Sequence, residues 1–244
     1  MGLSTDVISD QDIRTTSTVQ GGELFGEKRT TSDGREFRYG KNGTGGGTAL
    51  VSGQLQQVAT ASANHVNRTG VTYAAGTQQV TFAVGATLVS QNQYAQGYFV
   101  VNAGTGAGQT LLIAGNNAAA SSGSPTINLA DSIITATLVS DSKFSLHPNP
   151  YSACIINATT LGAGAAGVPS VNIPDTAYGW LQVTGVCSVL SDAGATAIGA
   201  PITYSDDTAG AIGPVETDAV GVNLGYALIA GVSAEYRPVN LMIN

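Results

Sequence analysis

The chain has 244 residues, of which 10% are charged, against about 25% in ordinary soluble domains, and 32 are glycine, nearly twice the usual share of about 7%. No run of about 18 apolar residues occurs in it, so this charge-poor composition does not come from membrane-spanning helices and no membrane partner is expected. Nine dispersed Lys and Arg stand against 16 Asp and Glu for a net charge of −7, and no basic face for direct nucleic-acid binding is built from them.

The charge is uneven. Residues 1–41 hold six basic and seven acidic groups, residues 42–130 hold Arg68 alone, and residues 131–244 hold two basic and nine acidic groups. Met1 to Asp12 carries Asp6, Asp10 and Asp12 where a secretory signal needs a basic start and an apolar block, so assembly in a cytoplasm is expected.

In chain order, the first recognisable element is a hairpin. Val19–Thr31 and Glu36–Lys41 flank Ser32-Asp33-Gly34-Arg35, and Asp-Gly between extended runs suits a tight turn because glycine accepts positive φ. Strand alternation puts Phe37 and Tyr39 on one face of the second strand and Glu36 and Arg38 on the other. An isolated hairpin is marginal in water, so this one needs a surface to lie on. Gly43-Thr44-Gly45-Gly46-Gly47 then reads as a flexible joint between an arm and a body.

Short strand-like runs follow: QVTFAV at 79–84, GYFVVN at 97–102, QTLLIAG at 109–115, TINL at 126–129 and IITATLVS at 133–140, separated by turns rich in Gly, Ser and Asn. LVSGQLQQVATA, at 50–61, is the one stretch that also fits a short amphipathic helix. After the proline-bracketed segment Leu146–Tyr151, strand-like runs recur at YSACIIN, YGWLQVTGVCSVL, APITYS, VGVNLGYALIAG and EYRPVNLMI. The expected fold is all-β: an N-terminal arm with a hairpin over 1–48, a β-rich body over 49–147 and a small barrel or sandwich over 148–244. Whether residues 49–244 make one domain or two stays open.

Chemistry-bearing motifs are sparse. Gly104–Thr110 lacks the lysine of a phosphate-cradling loop and lies between strands, so it reads as a hairpin loop. His65, His147, Cys154 and Cys187 show no zinc-site spacing, and neither histidine stands in a triad-like setting, so no metal, cofactor or catalytic residue is expected. Cys154 and Cys187 lie in apolar runs and read as buried free thiols. Asp206-Asp207 and Glu216 with Asp218 read as solvated turn carboxylates, with a calcium site as the alternative. The sequon matches at Asn42, Asn67 and Asn157 are expected to be chance matches. In Tyr178–Gly185, alternation sets Trp180 and Gln182 against Leu181 and Val183, so the single tryptophan either caps a barrel or anchors an interface.

The succession YGWLQVTG, GAPITYSDDTAGAI, VGVNLGYAL and EYRPVNLMI resembles the last hundred residues or so of head decoration (cement) proteins of tailed bacteriophages. GEKRTTSDGREFRYGKNG, NQYAQGYFVVNAGTGAGQTLLI and KFSLHPNPYSACI are similar to the upstream part of such proteins. The resemblance implies a non-enzymatic virion protein that binds the outer surface of the major capsid protein lattice, with itself as a second partner in a homodimer or homotrimer. Phe25, Arg29, Arg35, Phe37, Arg38 and Tyr39 are then the expected capsid contacts of the arm, and Tyr178, Trp180 and Gln182 the expected oligomer or packing residues. A head fibre, a receptor-binding protein and a tail-tube subunit are the alternatives. The acidic last third suits an outward, solvated face.

Overall fold

The computed structural model describes residues 7–69, 72–133, 137–160, 162–192, 196–215, 222–230 and 234–243. Its first three strands are β1 (Lys28–Thr30), β2 (Glu36–Lys41) and β3 (Gln56–Gln57). Six follow: β4 (Arg68–Thr69), β5 (Gln79–Thr81), β6 (Tyr98–Ala103), β7 (Thr110–Asn116), β8 (Thr126–Leu129) and β9 (Lys143–His147). The last seven are β10 (Ile155–Ile156), β11 (Ala165–Pro169), β12 (Tyr178–Leu190), β13 (Pro201–Tyr204), β14 (Ile212–Pro214), β15 (Gly225–Ala227) and β16 (Tyr236–Met242). Two three-residue 3₁₀ turns, Asp12–Arg14 and Ala63–His65, are the only helical elements among the described residues, so the fold is all-β as expected.

The chain forms two compact units, one made of residues up to Ala59 together with those from Pro150 onward, the other of Thr60–Asn149. The division is therefore not 1–48, 49–147 and 148–244. The expected arm belongs to the same unit as the C-terminal strands, and residues 49–59 go with it. The physical reason is strand pairing: β2 is hydrogen-bonded along β12, and β3 along β10 and β11.

In the first unit the expected hairpin is present, with Lys28 opposite Arg38 and Thr30 opposite Glu36. Gly34 takes φ +84° in its turn, and Thr31 N–H donates to Arg35 O at 2.9 Å. The surface that the hairpin needs is β12. Phe37 lies opposite Gln182, Tyr39 opposite Trp180 and Lys41 opposite Tyr178. Gln182 also faces Val168 of β11, and Thr184 faces both Glu36 and Met242, so β2 flanks one edge of β12 while β11 and β16 share the other.

The expected opposition of Trp180 to Leu181 in β12 is present, each side packing into a cluster of its own. Trp180 packs with Ile8, Ile13, Phe37 and Tyr39; Leu181, on the opposite face, packs with Leu50, Cys154 and Ile173. Val183, Cys187 and Val189 continue that opposite face into the largest cluster of the unit, with Ile202, Ile212, Val239 and Leu241. Where the β2 register shifts between Gln182 and Thr184, the buried Gln182 amide donates to the Thr184 and Val186 carbonyls at 3.1 and 2.8 Å.

Two readings of the sequence are corrected here. Residues 50–61 form no helix: Gly53 sits at φ +74°, and a Cβ there would lie 2.6 Å from the Tyr236 ring, while Leu50 and Leu55 enter different clusters. The glycine cluster at 43–47 is anchored, since Gly45 and Gly47 N–H donate to the Asp175 carboxylate at 3.0 and 2.9 Å. Alternate amides turned onto one carboxylate make a small anion nest, which ties this loop to the segment just before β12.

The second unit is an antiparallel sheet in the order β4-β9-β6-β7-β8-β5. Its inward residues alternate as the pattern demands: Phe99 and Val101, Leu111 and Ile113, Ile127 and Leu129, Phe144 and Leu146. Phe82, Phe99 and Phe144 meet with ring centroids 5.3–6.1 Å apart. The run at 133–140 falls partly outside the described residues. His65 is fully buried here, its Nδ1 against the Tyr94 hydroxyl at 2.5 Å and its Nε2 against Thr87 O at 2.9 Å. A carbonyl accepts only, so Nε2 carries the proton and Nδ1 accepts from Tyr94.

Two outcomes follow for stability. Phe37→Ala should lower the unfolding free energy of the first unit by about 3–5 kcal/mol in denaturant titrations, and a chain lacking residues 1–41 should show no cooperative transition for that unit. His65→Leu strands the Thr87 carbonyl and the Tyr94 hydroxyl and should cost about 2–4 kcal/mol, read from the second unit's transition.

Candidate functional site

The arginines expected to contact a capsid are engaged within the chain. Arg35 pairs with Asp10 at 2.5 Å and Asp33 at 2.7 Å and lies over the Phe37 ring. Arg29 pairs with Glu27 at 2.6 Å. Arg38 donates to Gly26 O at 2.9 Å and stands over the Tyr151 ring. Water screens exposed pairs of this kind, so their effect is to fix geometry more than to hold the fold. A hydrogen bond from Thr31 Oγ1, then the Arg35 guanidinium, holds the Asp33 carboxyl below its ordinary range, and the Lys28 ammonium and Thr184 hydroxyl do the same for Glu36. Depressed carboxyls support the hairpin above their unfolded pKa values, and that support fades as pH falls through the lower folded values.

Phe37, Tyr39, Trp180 and Gln182 are all buried, at 0, 5, 6 and 2% exposure. They are interior residues of this unit, not an open contact surface. Trp180 accordingly caps a cluster, roofed by Ile8 and Ile13 of the N-terminal segment. Half-buried Phe25 stacks on Tyr178 at 6.0 Å, Tyr178 on Tyr39 at 6.1 Å, and Tyr39 meets Trp180 edge-on at 5.2 Å. The Lys41 ammonium stands 5.4 Å from the Tyr178 ring. The structure thus brings the expected arm aromatics and the expected packing residues into one cluster.

Beyond Gln182 the face of β12 that carries Trp180 is uncovered. Val186, Asn240 and Tyr226 form one cross-strand row, with Met242 beside Thr184 and Tyr236 beside Leu190. Val186, Tyr226, Tyr236 and Met242 are 40–55% exposed, and the rows carry no charged side chain within β12, β15 and β16, while Glu36 of β2 ends the Thr184 row and accepts the Thr184 hydroxyl. At the end of β16, Met242 and Ile243 border a groove of about 330 Å³ that is also lined by Ala165, Tyr204, Val222 and Leu224. Sequence reasoning missed this surface. The alternation in VTGVCSVL and EYRPVNLMI contains it, but only pairing shows which face is closed over the core.

The remaining motifs are placed as follows. Gly104–Gln109 joins β6 to β7. Asp206 and Asp207 are exposed in a bend where Ser205 Oγ accepts the Asp207 and Thr208 amides; Glu216 and Asp218 lie outside the described residues. No group of three or more His, Cys, Asp or Glu converges among the described residues. Arg237, which the sequence reading passed over, is 2% exposed and bonds Thr196 at 3.0 Å; burial pushes its pKa down while Asp192 opposes the shift. No family model, no curated protein and no solved structure matches the chain.

Both cysteines are free, and burial pushes each thiol up to about 12. The thiolate is the reactive form. Neither cysteine should therefore react with a disulfide-exchange reagent at pH 8 in the native protein, and two equivalents should react once denaturant is added.

Proposed function

We propose that this chain is a structural virion protein of the capsid-decoration kind, seated on the outer surface of a major capsid protein lattice, and that it docks through the uncharged sheet face of β12, β15 and β16. The observation that carries the proposal is the row of Val186, Tyr226, Tyr236 and Met242, left in water by a sheet whose other face is closed over its core. Interface cores are depleted of charge and enriched in Tyr and Met. A neutral face also lets a molecule of net charge −7 meet a second copy without setting like charges against each other. The resemblance of the sequence to head decoration proteins supplies the lattice as partner.

Because Phe37, Tyr39 and the arm arginines are held inside the unit, docking here uses a preformed face and not a free arm. One such face per copy gives modest affinity, and many copies on one lattice raise it by multivalency. No catalytic role is assigned to any residue.

Val186→Lys and Tyr226→Glu together tax only exposed positions, where surface changes stay within about 0.5 kcal/mol. The double variant should melt like the parent protein yet be missing from purified particles assembled in its presence. Particles carrying it at the parent's occupancy would contradict the proposal.

A further inference from the structure

The C-terminal strands of the first unit close on themselves. β12, β16, β15, β13 and β14 pair in that order, and the ring is completed where Ser191, just past β12, bridges Ile212 of β14 and the Asp192 amide donates to Ile212 O at 3.0 Å. Val189, Ile202, Ile212, Val239 and Leu241 fill this small barrel. Arg237 stands opposite Val189 and two positions before Val239, so strand alternation turns its side chain into the same interior, where it is 2% exposed.

The guanidinium is under-partnered there. Nη2 donates to Thr196 Oγ1 at 3.0 Å, whereas Nε and Nη1 are sealed from the surface and have no hydrogen-bond partner among the described residues. No carboxylate forms an ion pair with Arg237 among the described residues. Asp192 acts on its charge only from a distance. The Asp192 carboxylate is packed on the β14 backbone, where a Cβ at Gly213 would clash with its Oδ2. A buried lysine or acid escapes such a position by giving up its charge, but arginine stays protonated. Buried N–H donors are ordinarily paired, and a buried charge left uncompensated is strongly destabilising.

The chemistry of the site selects its ligand. A cation meets like charge. A neutral molecule satisfies the N–H groups and leaves the charge uncompensated. A divalent anion sets a second negative charge beside Asp192, and a bulky one does not enter a site closed to the surface. We infer that the barrel interior binds one small monovalent anion of the halide class, in contact with an unpaired N–H of the Arg237 guanidinium, as an internal structural ligand. Arg237 faces away from the exposed row of Val186, Tyr226, Tyr236 and Met242, so the anion site and the docking reading stand or fall separately.

The test is urea unfolding of the full-length protein with sodium chloride exchanged for sodium gluconate at fixed ionic strength, which holds general screening constant. The unfolding constant of the first unit should fall at least about fivefold, saturably, between no chloride and about 0.3 M chloride, as for a ligand present at several times its Kd, while that of the second unit stays unchanged. Bromide should act as chloride does. Arg237→Met, similar in length and uncharged, should lose the dependence. In crystals of the full-length protein grown in bromide, anomalous scattering should place a bromide within hydrogen-bonding distance of Arg237 Nε or Nη1, a result that decides the matter even if Arg237→Met does not fold. An unfolding constant independent of chloride overturns the inference, as does an equal dependence in both units or an undiminished one in Arg237→Met. So does finding water or the Asp192 carboxylate at the guanidinium in place of bromide.

Discussion

The pairing of β2 with β12 is the interaction on which the first unit depends. It joins residues 36–41 to residues 178–184, which are about 140 positions apart in the chain, and buries Phe37 and Tyr39 against Trp180 beneath Ile8 and Ile13. Without it β12 loses the neighbour on one edge, the hairpin loses its support, and the N-terminal segment has no floor to cross. Nearby, the glycine nest ties residues 45–47 to Asp175, and the Cys154 amide bonded to Lys41 O at 2.8 Å fastens the end of β2 to a third stretch of the unit. Such long-range pairing is costly in loop-closure entropy, which is why several independent fastenings act at one place.

Local signals in the sequence were legible because they rest on local physics. The Asp33-Gly34 turn, the opposition of Trp180 to Leu181 and the burial of both thiols follow from backbone preference and side-chain period, and the structure bears them out. Partner choice was not legible. A hairpin with one apolar face reads equally as an arm seeking another protein or as a strand pair seeking a distant strand of its own chain, and nothing near residue 40 names residue 180. The same blindness hid the role of Gly45 and Gly47, whose acceptor is Asp175, and the burial of His65, whose partners Thr87 and Tyr94 lie 22 and 29 residues away.

This changes how the uneven charge is understood. The charged residues crowded into the first 41 positions are paired with one another, as Arg35 is with Asp10 and Lys28 with Glu36. What the unit offers outward is the opposite, a neutral sheet face on β12, β15 and β16.

Amide hydrogen exchange across the first unit tests the central claim most directly. Buried strand amides exchange only through opening of the element that protects them. The amides of Glu36–Lys41 should be protected to the same free energy as those of Tyr178–Leu190 and should open with them in a single cooperative step. Exchange of residues 36–41 at the rate of an exposed loop, while β12 remains protected, would contradict the account and restore the free arm.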